Sequence, residues 1–343
     1  MRRASGILCG SGVLALTACA GHQQSAVDPA GPQAGHIANL WWFFFAVLAA
    51  IFLAVMAFAL WTLTRRHRGI EQEPLEGKHK PSEATESRLT RVVAGLTIAT
   101  VLILFVLLVS SITTGKSISE LRDKQHGLII EVTGNQWWWQ FRYMNDDSNE
   151  ILITANEIHI PVGRPVMIRG MSQDVIHSFW APNLNGKRDL IPSRITEEWI
   201  QADHAGAYRG QCAEFCGLQH AHMVFWVVAE APDKFKQWFD AQLQPAAAPG
   251  DADTLRGQQV FLNNACIFCH TIRGTPAAAQ NGPDLTHFGS RRSIAAGTLP
   301  NTPGNLGGWI VDPQSIKPGN HMATIALNSS DLQPLIDYLE SLK

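Results

Sequence analysis

Gln211-Cys212-Ala213-Glu214-Phe215-Cys216-Gly217-Leu218-Gln219-His220-Ala221-His222-Met223 crowds two thiols, two imidazoles and a thioether into one short stretch. A further histidine, His177, lies well upstream. Thiolate and thioether sulfur favour copper among the available metals, and imidazole suits it as well. Two cysteines four positions apart offer more sulfur than a mononuclear blue-copper site uses, so the pattern implies two copper ions bridged by both thiolates. A Cys212–Cys216 disulfide or a zinc ion would draw on the same residues. Either would leave Met223 and His177 without a task. His222 competes with His220 as the imidazole donor.

The residues around this stretch predict a β-rich domain. Short β-type runs fall at Leu128–Val132, Trp137–Tyr143, Ile151–Thr154, Val166–Arg169, Ile195–Ile200 and Met223–Val228, with Gly, Pro, Asn and Asp between them. Many short strands with frequent turns imply an antiparallel sandwich or barrel. Pro232 can start a closing helix whose Phe235, Trp238 and Phe239 share one face. In Gly134-Asn135-Gln136-Trp137-Trp138-Trp139-Gln140-Phe141-Arg142-Tyr143 a strand would alternate its aromatic faces, and plain core packing is the simplest role for Trp138 or Trp139. Asp146, Asp147, Glu150 and Glu157 follow, as surface charge or as docking acids for a cationic partner.

Further on, residues 244–250 (Gln-Pro-Ala-Ala-Ala-Pro-Gly) carry no periodicity and read as a linker. As a flexible tether it would reach roughly 20 Å. A short helix over 254–264 then leads to Cys266-Ile267-Phe268-Cys269-His270, the C-x-x-C-H signature of covalent haem c attachment. Two thiols add to the porphyrin vinyl groups and the adjacent imidazole reaches the iron. Lys317-Pro318-Gly319-Asn320-His321-Met322 resembles the methionine loop of small bacterial cytochromes c, which implies Met322 as the other axial ligand, with His321 and His287 as rivals. Gly282-Pro283-Asp284-Leu285 resembles their Gly-Pro-x-Leu turn, in which the Pro283 carbonyl orients the histidine, here His270. A final helix is expected from about Asp331 to Leu342, with Pro334 in its first turn.

In the other direction, Leu40–Leu63 and Val92–Ile112 are apolar and uncharged. Each meets the ~20 residues that a helix needs to cross a bilayer. The loop between them holds Arg65, Arg66, Arg68, Lys78, Lys80, Arg88 and Arg91, whereas residues 20–40 have no Lys or Arg. The positive-inside rule then puts the loop in the cytoplasm and both ends outside. Residues 1–19 read as a secretory signal, and Leu16-Thr17-Ala18-Cys19 looks like a lipobox that would lipidate Cys19. The 343 residues are 46% hydrophobic and 16% charged with a formal net charge of −2, a balance that argues against nucleic acid as a partner.

The copper stretch closely resembles the CuA motif of the cytochrome c oxidase subunit II family, which reads Cys, x, Glu, x, Cys, Gly, x, x, His, x, x, Met with an upstream His. Every defining position is filled, and Ala213 stands at a variable position that is often Ser. The resemblance implies bridging Cys212 and Cys216, terminal His177 and His220, and weak axial donors from Met223 and the Glu214 carbonyl. It implies magnesium shared with subunit I through the Glu214 side chain, and Trp137 as the residue through which electrons enter. A glutamate near Glu86 helps protons into subunit I in this family, and Glu83 is a rival for that role. The implied fold is a multi-domain membrane protein: signal peptide 1–19, two-helix transmembrane hairpin 20–115, all-β cupredoxin-like domain 116–243, linker 244–253 and all-α class I cytochrome c domain 254–343. The implied activity is electron delivery from a cytochrome c or cytochrome bc complex, through haem c and binuclear copper, to the haem of subunit I. Oxygen is reduced there with proton pumping. The implied partners are subunit I, other oxidase subunits and the lipid bilayer, in a bacterial inner membrane with the copper and haem domains on the periplasmic side. A subunit of a nitric-oxide reductase and a copper-storing lipoprotein are the competing readings. Storage would give the C-x-x-C-H motif no purpose, and quinol oxidase subunits lack the copper ligands present here.

Overall fold

A computed structural model describes residues 23–66, 82–123, 128–144 and 151–343. The expected signal and Cys19, the basic residues Arg68, Lys78 and Lys80, and the acids Asp146, Asp147 and Glu150 lie outside them. The chain divides into two units, His36–Lys124 and the remainder.

The first unit contains most of two helices, α1 (Pro32–Arg66) and α2 (Glu83–Asp123). Both are long and apolar enough to cross a membrane, with mean hydropathies of 2.8 and 3.0 over their most apolar windows. Their large side chains face outward, Phe52 and Leu96 among them. Outward apolar surface on this scale suits lipid rather than water. Glu86 and Glu83 sit in the first turn of α2.

The second unit holds two cores. The first is a β-domain with a five-stranded sheet in the order β3-β2-β1-β5-β8. These strands are β1 (Leu128–Asn135), β2 (Trp138–Met144), β3 (Leu152–Ala155), β5 (Val166–Ser172) and β8 (Thr196–Ile200). A three-stranded sheet in the order β4-β10-β9 joins β4 (Glu157–Pro161), β9 (Gly206–Gln211) and β10 (Val224–Glu230). β1 runs parallel to β5 and β4 parallel to β10, so the sandwich is mixed rather than wholly antiparallel. A short ribbon pairs β6 (His177–Phe179) with β7 (Arg188–Leu190).

Alternation decides which face is buried. In β2, Trp139, Phe141 and Tyr143 point into the core while Trp138, Gln140 and Arg142 point out. Ile130 and Val132 of β1, Ile168 of β5, and Phe225 and Val227 of β10 complete the same cluster. Burying each such side chain contributes about 1.5–3 kcal/mol. Helix α3 (Pro232–Leu243) starts on its proline and lays Phe235, Trp238 and Phe239 against this core, with Trp238 stacked on His159 at 4.0 Å.

The second core is helical. α4 (Ala252–Asn263) opens with a capping box between Asp251 and Thr254, and it packs on α7 (Ser329–Ser341). Val260 and Phe261 meet Leu335, Ile336, Tyr338 and Leu339. The contact is close enough that a Cβ on Gly257 would lie 1.9 Å from the Pro334 carbonyl oxygen. α7 starts earlier than the sequence pattern suggests, so Pro334 lies inside the helix rather than in its first turn. α5 (Pro303–Val311) and α6 (Pro313–Ile316) start on prolines and are capped by the Thr302 and Asp312 side chains. A two-strand ribbon, β11 (Ser293–Ile294) with β12 (Leu299–Pro300), completes the domain.

The linker does not behave as its composition suggests. Arg273 of the helical domain donates to the carbonyls of Gln242 and Leu243. The Ala246 amide donates to the Arg273 carbonyl, and His287 bonds the Gln244 carbonyl. Residues 242–246 are therefore fastened to the second core, which shortens any free tether.

Candidate copper and haem sites

The copper stretch forms the loop between β9 and β10, and β6 brings His177 beside it. The Cys212 and Cys216 sulfurs are 3.8 Å apart and both thiols are free. That is far beyond the S–S bond length of about 2.05 Å. His177 Nδ1 lies 3.9 Å from the Cys212 sulfur, and His220 Nδ1 lies 3.6 Å from that of Cys216. The Met223 sulfur is 3.8 Å from Cys216, and the Glu214 carbonyl is 3.2 Å from Cys212. The donor atoms of His177, Cys212 and Cys216 all lie within 4.8 Å of one another. His222 turns its Nδ1 to the Gln219 side chain at 2.7 Å. The Glu214 carboxylate is half-exposed and pairs with Lys187 at 3.2 Å.

Surrounding groups set the charge of these donors. His177 Nε2 donates to Asp174 at 2.7 Å, which leaves Nδ1 with its lone pair towards the thiols. Burial works to lower the His177 pKa, but the Asp174 and Cys212 contacts outweigh it and raise it. The hydrogen bond with Cys216 holds the Cys212 thiol down, and the same bond pushes Cys216 up. A metal held here would face both sulfurs as thiolates. Soft sulfur with imidazole and thioether fits copper.

Trp137 sits in the turn between β1 and β2, one residue before the strand predicted to begin with it, and the Gln136–Trp137 peptide is cis. Its indole N–H donates to the Cys216 carbonyl at 2.9 Å, and the Gln136 side chain donates to that carbonyl at 2.7 Å. The indole is 7% exposed. Trp137 also lines a cavity of about 240 Å³, together with Trp138, Cys266, Cys269, His270 and Met322.

His270 donates from Nδ1 to the Pro283 carbonyl at 2.8 Å. Burial lowers its pKa, so the ring is neutral and its Nε2 lone pair is free for a metal. Asn320 holds the Met322 amide at 2.7 Å and Gln314 holds its carbonyl at 2.9 Å. Two thiols, a neutral imidazole and a thioether around one largely apolar cavity fit a covalently held haem. His287 is spent on backbone carbonyls of residues 244 and 343, and the His321 ring stands 6.1 Å from that of Trp137.

Several residues that shape these sites give no signal in the sequence. Asp174 is one of many acids and Gln136 one of many amides. Lys317 opens the methionine loop with no role assigned to it from sequence, and it is 2% exposed. Burial pulls its pKa down to about 7, while three carbonyl acceptors match the three donors of its charged form. Arg291, which also lines the cavity, donates to the Asp284 carbonyl.

The comparisons agree with the two cores. Residues 144–231 match the family model for cytochrome c oxidase subunit II, periplasmic domain, and residues 254–343 match that for cytochrome c. Cytochrome c oxidase subunit 2 of Alkalihalophilus pseudofirmus is 37% identical over 336 residues, covering 96% of this chain and 94% of the relative. Cytochrome c oxidase subunit 2 of Bacillus sp. PS3 is 32% identical, covering 72% of this chain and 73% of the relative. The chain belongs to the cytochrome c oxidase subunit 2 family, as a member with a cytochrome c domain of its own.

Proposed function

We propose that this subunit receives electrons on its own cytochrome domain and hands them through a binuclear copper centre to the haem of subunit I. The single observation that carries this reading is the position of Trp137. Its ring walls the cavity that holds the C-x-x-C-H residues, and its N–H is bonded to the carbonyl of a copper-loop cysteine. When bound, the haem and the copper pair supply the one-electron chemistry. Cys212, Cys216, His177 and His220 would hold the copper pair, with Met223 and the Glu214 carbonyl as further weak donors. Cys266, Cys269, His270 and Met322 would hold the haem, with the Pro283 carbonyl fixing the tautomer of His270.

The remaining roles follow the family. Subunit I, with other oxidase subunits, reduces oxygen and pumps protons; neither span of this chain contains a histidine that could hold such a site. The Glu214 side chain is a ligand to magnesium at the border with subunit I, and Glu86 assists proton uptake on the cytoplasmic side. The spans at 40–63 and 92–112 anchor the copper domain (116–243) and haem domain (254–343) on the periplasmic face of a bacterial inner membrane. Residues 1–19 are a signal, and Cys19 carries lipid. The external donor is a cytochrome c or a cytochrome bc complex.

The Trp137→Phe variant tests the reading. It keeps the aromatic wall and removes the hydrogen bond to the Cys216 carbonyl, a loss of about 1 kcal/mol of neutral bonding. Flash reduction of the haem should then reach the copper more slowly, with both absorption spectra unchanged. Wild-type transfer in this variant would remove Trp137 from the route.

A further inference from the structure

We infer that Lys317 is a positioning residue that pins the haem domain onto the copper domain in one seated pose, a role that rests on the haem-to-copper transfer proposed above. Lys317 ends α6 and immediately precedes the Pro318–Met322 loop. Its stem therefore leaves the haem domain beside the axial methionine. Its ammonium is buried and donates to three carbonyls: Trp137 at 2.8 Å, His222 at 2.8 Å and Ala295 at 3.1 Å. Only Ala295 belongs to its own domain. The other two flank the copper site, since Trp137 touches the Cys216 carbonyl and His222 precedes Met223.

This arrangement makes seating all-or-none. A buried ammonium is tolerated only while its donors are paired, and lifting the domains apart would strip it of two of its three acceptors. The seam around it is shaped to the same pose. The Gln219 side chain donates to the Pro318 carbonyl at 2.7 Å, and the Val224 amide to the Ala296 carbonyl at 3.0 Å. Gly297 has a φ of +76°, and a Cβ there would stand 2.6 Å from the Val224 side chain. Arg292 lies 5.2 Å over the Trp226 ring. The buried Glu157 carboxylate also accepts from the Arg292 amide across the seam at 3.2 Å. The consequence is a fixed separation between the two redox sites, and a Trp137 face closed to external redox proteins.

The test uses the full-length holo-oxidase with Lys317→Met, which keeps the stem and removes the donors. Hydrogen–deuterium exchange at the Val224 amide reads seating without reference to redox chemistry. It should accelerate by about tenfold or more, the scale set by losing charged hydrogen bonds. Flash-initiated transfer from haem to copper should slow and become dependent on glycerol viscosity, with both absorption spectra intact. Lys317→Arg, which keeps a charged donor, should recover part of both effects. Unchanged Val224 exchange with unchanged transfer overturns the assignment. Should Lys317→Met fail to hold haem or copper, Lys317→Gln is read in the same way. Loss of a cofactor from both variants also overturns it, by showing that Lys317 serves the folding of one domain. Absence of haem-to-copper transfer in the wild type would instead sink the functional reading, while Val224 exchange still decides the role of Lys317.

Discussion

Asp174 is bonded to a proposed copper donor without being a donor itself. It accepts from His177 Nε2 at 2.7 Å and from the Gln136 amide at 2.7 Å, so one carboxylate fixes both a copper-facing imidazole and the turn that presents Trp137. Asp174→Ala should lower copper affinity by about 10–100-fold, the usual cost of losing such a partner. Competition with a chelator measures this, and unchanged affinity would show that packing alone orients His177. The ligand-type residues were legible from the chain because Cys, His and Met are scarce and their spacing is chemically demanding. Asp174, Gln136 and Lys317 were not, because acids, amides and lysines crowd every surface and only the fold reveals which of them are bonded inside.

At the scale of elements, the six strand runs read from the sequence fall on β1, β2, β3, β5, β8 and β10, whereas β4, β6, β7 and β9 were not read. β1 and β2 alternate buried and outward residues along their length. β4 alternates Glu157 and His159 with Ile158 and Ile160 in its sequence, yet both of its faces are buried, which that alternation does not suggest. His159 is tolerated there because Glu230 pairs with it at 3.0 Å and Trp238 stacks on it. β9 holds two glycines, which weaken any strand signal. The α4–α7 contact has the opposite character, since both helices were visible but the closeness of their crossing was not. It rests on Gly257, where any side chain would meet the Pro334 backbone. Gly257→Ala should destabilise the haem domain by about 1–3 kcal/mol through overpacking. Denaturant unfolding followed at the haem absorption band measures this, and a midpoint equal to wild type would mean that α7 can shift without cost.

Over the whole molecule, the chain joins two long apolar helices to a β core and a helical core, with the copper loop and the cytochrome cavity meeting at Trp137. The order of these parts was legible, because each has its own composition and motif. The fastening of residues 242–246 was not, because it depends on Arg273 reaching back to carbonyls that any sequence would supply. The helical core is held against the β core by the Lys317 and Gln219 side chains and by the Val224 amide. All of this depends on Cys212 and Cys216 holding two coppers between His177 and His220. Electron paramagnetic resonance of the oxidised holoprotein, with copper counted per chain, tests that most directly. We expect hyperfine structure from one unpaired electron shared equally by two copper nuclei. A pattern from a single copper nucleus, or a copper-free chain with Cys212 bonded to Cys216, would contradict it.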